Sequence, residues 1–409
     1  MKKNVIILIS VILVLLALTV SFVSGVFVAG MLSGGSPAPQ NTRKQAVGGP
    51  ADLGPVREVY GELAHGYVEK VNREKLIDGA IEGMLKSLKD PYTRRLKRTD
   101  FGDFQEQTTG HFGGVGIELG MRENKLTVVS PIKDTPADRA GVQSGDFIVK
   151  IDDKSTEGMA LEEAVKSIRG AEGTKVKLTF ARNGGASFTK ELTREQIKMP
   201  NVSGRILDKD IGYIKVHAFN SDTTKDVRKE LDGFKDKGVK GVIVDLRNNP
   251  GGLLNEAVSI SSLFIKSGPI VKVKSRTGKT TSLTANPGAD DKIPLVVLVN
   301  GGSASASEIF SGAVQDTGRG AIVGEKTFGK ASVQTVIPLS DNSGLVMTTA
   351  KYLTPRNRDI HKRGITPDVV IKLPKKDWHK MSGPNDPQLN KAKDVLRDIM
   401  AGKSFKKAS

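Results

Sequence analysis

The sequence predicts an α/β fold, and three observations carry that prediction. Residues 239–246 (VKGVIVDL) and 293–300 (IPLVVLVN) are continuous apolar runs rich in β-branched residues, the pattern of buried strands. Each leads through a turn into a helical stretch: RNNPGG precedes residues 253–264, and GGSAS precedes residues 306–314. Such strand–turn–helix crossovers lay helices on a sheet. Between residues 113 and 194, shorter strands (KLTVVSPI, KVKLTFAR) flank one helical segment (LEEAVKSIRG), the mark of a second module.

Taken in chain order, Met1-Lys2-Lys3 precedes residues 4–32, which hold no charge and are mostly Val, Ile and Leu. A secretory apolar core is about 7–15 residues, whereas a spanning helix needs about 20. Residues 1–32 therefore read as an uncleaved signal-anchor with its lysines in the cytoplasm, a cleaved signal peptide being the alternative. Residues 33–55 are rich in Gly, Pro and Ala and read as a flexible tether. Residues 56–96 show helical periodicity, and His65 is an ordinary residue of that stretch. The 409 residues include no Cys, so stability rests on hydrophobic cores rather than disulfides. The formal charge is +17, but 62 basic residues are interspersed with 45 acids and no nucleic-acid motif occurs, which sets nucleic acid aside as a partner. The basic clusters at 94–98 and 372–376 face solvent or anionic lipid.

Residues 301–334 hold the chemistry. One of Ser303, Ser305 or Ser307 falls on the turn from strand to helix, where unpaired N–H groups can receive an oxyanion. A serine hydroxyl needs a base, and none of His65, His111, His217, His361 and His379 lies near a serine signature. Lys330, in FGKASVQ, can serve if burial depresses its pKa. Phe328 would supply apolar cover, and Gln334 could turn its amide toward the lysine amine.

GSASASEI followed by GEKTFGKASVQ resembles the active-site region of the carboxyl-terminal processing (tail-specific) proteases, whose pattern is G-S-x-S-A-S-E and then G-x-x-T-[FY]-G-K-x-x-V-Q. The resemblance implies Ser305 as nucleophile, Lys330 as general base and Gln334 as the residue that orients the lysine. Ser303 and Ser307 become structural, and Asp316 falls where relatives carry a second-tier acid. DLRNNPGG matches the family's oxyanion segment and implies donors at Gly251, less so Gly252, and Ala306. Ala331 and Asn357 replace glycines usual in relatives. Residues 345–370 resemble the segment that shapes the substrate cleft. The family also implies a crotonase-like core and a helical N-terminal region that dimerises or braces it. No cofactor or metal is called for.

A-G-V-Q-S-G-D-F-I-V-K-I, at residues 140–151, resembles a PDZ domain. PDZ domains add a peptide as a strand to a sheet edge and hold its carboxylate on N–H groups of a glycine loop. Here that loop matches Gly114, Val115, Gly116 and Ile117, with Val115 and Ile117 flanking a side-chain pocket. Arg169, at the end of the PDZ helix, reads as a solvated charge.

The expected organisation is a signal-anchor helix (1–32), tether (33–55), helical region (56–100), PDZ domain (101–197), protease core (198–374) and C-terminal helical tail (375–409). The expected activity is a membrane-anchored, extracytoplasmic Ser–Lys endopeptidase. Its partners would be proteins or peptides with free C-termini, the membrane, a second copy of itself and a regulatory adaptor. A non-catalytic PDZ scaffold is disfavoured by the intact Ser305/Lys330/Gln334 set. A trypsin-like protease is disfavoured by the missing G-[DN]-S-G-G motif.

Overall fold

A computed structural model describes residues 53–182, 186–199, 201–374, 381 and 383–403. The expected anchor, residues 1–32, lies outside the described residues; among those described, no helix is long and apolar enough to cross a membrane. The chain divides into two compact units, residues 1–81 and 82–409. In the first, helix α1 (Gly54–Gly66) carries Pro55 in its opening turn, where a missing N–H costs nothing. It is followed by most of α2 (Arg73–Ser87), and neither helix buries a residue.

The second unit begins with the short strand β1 (Arg94–Leu96) and α3 (Arg98–Thr109). Phe101 of α3 packs with Leu96 and Val346 in a small cluster of its own. The expected boundary at residue 100 therefore cuts a helix that packs on β1 and β18. The second module starts after Gly110, which ends α3 in the left-handed region.

The two-stranded ribbon of β2 (His111–Gly114) and β9 (Glu195–Lys198) forms its neck. Between them lie β3 (Ile117–Arg122), β4 (Lys125–Pro131), the short α4 (Pro136–Arg139), β5 (Phe147–Ile151), β6 (Lys154–Ser155), α5 (Leu161–Ile168), β7 (Lys175–Ala181) and β8 (Phe188–Thr193). The sheet runs β3-β4-β5-β7-β8, leaving β3 at an edge. Alternate residues of β7 (Val176, Leu178, Phe180) enter one core with Leu126, Val128 and Ile148, as period-2 strands require.

The larger part of the second unit is built on a six-stranded sheet, in order β10 (Val202–Leu207), β11 (Ile211–Val216), β12 (Gly241–Asp245), β15 (Leu295–Val299), β16 (Ala321–Gly324) and β19 (Val369–Val370). All neighbours pair in parallel except β10 with β11. Both faces are covered, which is why the runs at 239–246 and 293–300 are apolar throughout. Val242 and Val244 of β12, with Leu295, Val297 and Val299 of β15, face one layer of helices: α6 (Thr223–Asp236), α7 (Leu254–Ser261) and α8 (Ala306–Thr317). The same cluster takes in Ile270 and Val271 of β13 (Pro269–Ser275) and Tyr352 of β18 (Gly344–Leu353). These strands belong to a second sheet, β1-β18-β13-β14, with β14 at Thr280–Thr284 and β17 (Ser332–Pro338) paired to β18.

Ile243, Val296 and Leu298 point the other way, onto α9 (Pro387–Met400). Leu389, Ala392, Val395 and Leu396 of that helix are buried against them. The expected C-terminal tail is thus a structural layer of the core. Asp386 caps α9 by accepting from the N–H groups of Gln388 and Leu389, satisfying donors that a helix start leaves open.

Candidate active site

Strand β15 ends at Asn300, and the chain turns sharply before α8. Ser303 is fully buried; its Oγ donates to the Leu246 carbonyl (2.8 Å) and accepts from the Asn300 N–H (2.9 Å). Ser307 is also buried, its hydroxyl donating to the Asn249 carbonyl (2.9 Å). Both serines are spent on holding the turn to the neighbouring DLRNNPGG loop. Ser305 is half-buried and lies on a cleft of about 680 Å3. It sits at the N-cap of α8 with φ 52° and ψ −112°, a conformation sparsely populated for a side chain with a Cβ. Such strain persists only where surrounding contacts over-determine it.

Glu308 supplies the principal contact. Its carboxylate is fully buried and accepts four hydrogen bonds: from the N–H of Ser305 (3.0 Å), Gly329 (2.7 Å) and Lys330 (2.8 Å), and from the Thr327 hydroxyl (2.6 Å). One side chain therefore ties the serine turn to the lysine loop. The Tyr352 hydroxyl lies between the carbonyls of Ser305 (3.1 Å) and Lys330, giving a second tie. Burial, then Glu308 and Tyr92, hold the Tyr352 phenol well above its usual range, so it stays protonated as a donor.

Lys330 is half-buried and lines the same cleft as Ser305. Its Nζ stands 4.9 Å from the centroid of the Tyr92 ring. Burial pushes the amine below the ordinary lysine range, and the Arg94 guanidinium adds to this; Asp90 and Glu308 act in the opposite sense. Phe328, expected as apolar cover, is 57% exposed. The aromatic against the lysine is Tyr92, contributed from more than 200 residues upstream. Among the described residues, no hydrogen bond joins the Ser305 hydroxyl to the Lys330 amine. Contacts of this kind often tighten only when substrate is bound.

Gln334 lines the cleft too, but its amide nitrogen donates to Ser332 Oγ (2.8 Å) and Thr348 Oγ1 (3.4 Å) rather than turning to Lys330. The β17–β18 register shifts between Val333 and Gln334. A bulge re-aims side chains that strict alternation would send to opposite faces, and both residues line the cleft.

The DLRNNPGG loop forms the facing wall. Gly251 has φ 104°, and a Cβ there would lie 2.8 Å from the Ala306 nitrogen and 2.7 Å from the Ala304 oxygen, so only glycine can approach the serine turn this closely. Its own N–H donates to Asn249 Oδ1 (2.8 Å), which engages the donor expected for an oxyanion. Among the described residues, the N–H groups of Gly252 and Ala306 have no acceptor. The base of this loop is a buried charge network. Arg247 is fully buried between Asp245 (2.6 Å) and Asp386 (2.7 Å) and donates to Gln388 Oε1 (3.0 Å). Lys215 (3.2 Å) and the Tyr213 hydroxyl (2.7 Å) complete the shell of Asp245. Burial alone would raise the Asp245 carboxyl; the hydrogen bonds and charge of Arg247, with Lys215, outweigh it and hold it below its usual range.

A family model for peptidase family S41 matches residues 210–371, a PDZ domain model matches 127–182, and a model of the activating protease CtpB N-terminal domain matches 30–98. A carboxy-terminal-processing protease of Bartonella bacilliformis is 41% identical over 371 residues, covering 88% of this chain and 83% of that one. The carboxy-terminal processing protease CtpA of Bacillus subtilis is 36% identical over 367 residues, covering 90% and 78%. A carboxyl-terminal-processing protease of Synechocystis is 41% identical over 333 residues, covering 80% and 78%. The chain belongs to the S41 family of carboxy-terminal processing proteases. It is a serine-type peptidase that carries a PDZ domain.

Within this S41 protease, Asp316 lies at the far end of α8 from Ser305, about 16 Å away at 1.5 Å per residue. It accepts from the Arg356 N–H (2.8 Å) and pairs with Arg358 (2.5 Å), so it fastens residues 354–358 rather than entering the cleft. In that segment Asn357 adopts φ 63°, the left-handed conformation its glycine-like position requires; Ala331 has no positive φ and is unstrained.

In the PDZ domain, Gly116 has φ 76°, and a Cβ there would fall 2.2 Å from Thr135 Oγ1. The carbonyls of Val115 and Gly116 accept from Ala137 (2.9 Å) and Ile132 (2.8 Å). Among the described residues no acceptor meets the N–H groups of Val115 and Gly116. The Val115 side chain fills the domain core instead of flanking a pocket, while Ile117 packs partly buried on the edge strand β3. Arg169 is not a free charge: it lies 4.3 Å over the Phe112 ring and pairs with Glu106 of α3 (3.3 Å).

The sequence reading missed Glu308, Tyr92, Arg94 and Tyr352. Only Glu308 carried a local signal, since Ser305-x-x-Glu308 is a capping-box pattern.

Proposed function

We propose that this S41 protease is a membrane-anchored, extracytoplasmic endopeptidase that captures protein C-termini on its PDZ domain and cleaves with a Ser305–Lys330 dyad. The observation that carries the reading is the pairing, in one cleft, of a strained serine at a helix N-terminus with a lysine whose ammonium form is disfavoured by burial. The neutral Lys330 amine takes the Ser305 proton as Oγ attacks the scissile carbonyl. The Ala306 N–H, together with an N–H of the Gly251–Gly252 pair, receives the oxyanion. Gly252 is the donor open in this conformation; Gly251 becomes one when Asn249 releases it. Lys330 then protonates the leaving amine, and water delivered with Lys330 as base hydrolyses the acyl-enzyme. Gln334 acts through Ser332 and Thr348 in shaping the lysine's side of the cleft.

Capture of a C-terminus rests on the open N–H groups beside Gly116 and on the free edge of β3, which suit a carboxylate and an added strand. We read residues 1–32 as the anchor, and the helix-covered core as crotonase-like. A helical N-terminal region leaves room for self-association or an adaptor. The test of the chemistry is cleavage of a quenched peptide by the full-length protein and its Ser305→Ala and Lys330→Ala forms. Retained turnover in folded Lys330→Ala would overturn the dyad. The test of location is fractionation of cells, followed by protease accessibility of the catalytic domain from outside the membrane.

A further inference from the structure

Residues 94–98 (RRLKR) form a basic run whose members do different things. Arg95 is committed to the surface of the core, bonded to Asp341 and to Ser343 Oγ (3.1 Å). Arg94, its neighbour on β1, points to the other side and lines the catalytic cleft together with Lys330 and Ser305. Its backbone is fixed by pairing with Val346 of β18, itself part of the cleft wall. Arg94 is exposed, and among the described residues no carboxylate pairs with it.

We propose that Arg94 is a positioning residue for the catalytic proton: its unpaired guanidinium at the cleft keeps the Lys330 amine in the neutral form that can act as a base. This rests on the reading of Lys330 as the base. Four elements bring groups toward Lys330, and the segment packed on Gly329 adds His361, which bears on Asp90 rather than on the amine itself. Tyr92 and Asp90 come from the turn before β1, Glu308 from α8, Tyr352 from β18 and Arg94 from β1. The two carboxylates and the Tyr92 face all favour an ammonium. Glu308 spends its charge on four donors, and Asp90 spends part of its own on the Tyr92 N–H (3.0 Å) and the Thr93 hydroxyl (2.6 Å). Against them stand burial and one like charge, Arg94, which disfavours a second cation nearby. A salt-bridged arginine would have its field cancelled, so the absence of a paired acid is what makes Arg94 effective where Arg95 would not be.

The sign is fixed. Removing the Arg94 charge makes the Lys330 ammonium easier to form, so a larger share of the enzyme is protonated and idle near neutral pH. In the full-length protein, Arg94→Gln is expected to lose kcat/KM several-fold at neutral pH on a neutral peptide substrate. Its profile should rise at higher pH than wild type and reach the same plateau. Arg94→Lys keeps the charge and should restore the wild-type profile. Because Arg94 is exposed, its field is screened by salt; the Debye length falls from about 10 Å at 0.1 M to about 3 Å at 1 M. High salt should therefore move the wild-type profile toward higher pH relative to Arg94→Gln, in which only the opposing charge of Asp90 is left to screen. The salt response of the unaltered enzyme keeps the test available even if a variant folds poorly. A second readout is the rate at which an amine-acylating reagent labels Lys330 as pH rises, in the Ser305→Ala background.

An equal loss at every pH would make Arg94 a substrate-binding or structural residue and overturn the proposal, as would an unshifted profile with no salt response. Turnover by folded Lys330→Ala would instead overturn the underlying reading of the base. The two failures are thus distinguishable.

Discussion

The serine turn and the PDZ glycine loop both leave backbone N–H groups without an acceptor among the described residues, yet they are held by opposite means. The turn at Ser305 adopts a strained conformation in a residue with a side chain, and buried polar groups enforce it: Glu308 from within its own helix, Tyr352 from another sheet, and beneath the facing loop the Asp245–Arg247–Asp386 network. The loop at Gly114–Ile117 reaches its positive φ at a glycine, packs Gly116 against Thr135, and is secured by its own carbonyls. Strain held by buried charge suits a site that must keep reacting atoms in register. A local backbone solution suffices for a site that only binds. The difference predicts that lesions in the core act on turnover and stability, whereas lesions in the PDZ loop act on capture.

The largest effect belongs to the proposed dyad. Ser305→Ala and Lys330→Ala should each lower kcat by about 10^4-fold or more, with folding unchanged by circular dichroism. Ser303→Ala should keep its chemistry but lose about 1–3 kcal/mol of stability, because the Leu246 carbonyl and the Asn300 N–H lose their buried partner. A catalytically dead Ser303→Ala of normal stability would mean that the wrong serine has been assigned.

Next comes the scaffold beneath the oxyanion loop. Arg247→Met removes the cation that Asp245 and Asp386 share, leaving Asp245 to the Lys215 cation, and should cost about 3–5 kcal/mol in denaturant unfolding. Glu308→Gln is gentler on the fold but more pointed in the site. An amide cannot accept at both positions where the carboxylate does, so either the Ser305 and Lys330 donors or the Thr327 and Gly329 donors lose a partner. A displacement of the order of 1 Å in such a site costs about 10^2-fold; a kcat loss of that size with unchanged KM is expected. If KM rose instead with kcat intact, Glu308 would belong to substrate binding.

The same contrast explains what could be read from the sequence. The strands at 239–246 and 293–300 and the helix after each are dictated by neighbours in the chain, so apolar runs and turn residues revealed them, whereas the PDZ loop was placed by resemblance through the motif at residues 140–151. Ser305, Lys330 and Gln334 were found through a motif, which fixes identity but not orientation; hence the Gln334 amide was expected on Lys330 and lies on Ser332. Tyr92 and Arg94 reach the cleft that holds Lys330 from more than 200 residues away, and nothing local distinguishes Arg94 from its basic neighbours. Phe328 looked like the cover because adjacency in sequence was the only guide, yet the phenylalanine is exposed while the lysine is half-buried and lines the cleft. The C-terminal helix has an apolar stripe at Leu389, Ala392, Val395 and Leu396 that was legible as amphipathic. Its partner was not, since only the fold shows that Ile243 of β12 and Val296 and Leu298 of β15 form a second face for this helix to cover.

Recognition should respond to smaller changes. A free substrate carboxylate held by the N–H groups near Gly116 gains charge-assisted hydrogen bonds worth about 1.5–3 kcal/mol, so amidation should raise KM about tenfold or more while kcat stays within twofold. Gly116→Val puts a Cβ where Thr135 already stands and should erase the difference between free and amidated peptides. Equal KM values for the pair in wild type would show that this loop does not read C-termini.

The smallest expected effect separates the two accounts of how Lys330 is covered. Phe328 is 57% exposed, and Tyr92 carries the ring next to Nζ. Surface truncations away from caps, cores and ion networks usually change stability by no more than about 0.5 kcal/mol. Phe328→Ala should therefore leave unfolding nearly unaltered, and the rise of kcat/KM with pH should keep its midpoint, because the burial that depresses the Lys330 amine survives. If Phe328 did shield the lysine during turnover, its removal would admit water, ease formation of the ammonium and shift the rise to higher pH. The measurement is a pair of pH profiles, wild type and Phe328→Ala, on one peptide at one ionic strength. A clear upward shift would return Phe328 to the site and show that the loop from Thr327 to Lys330 closes over the cleft when substrate is present.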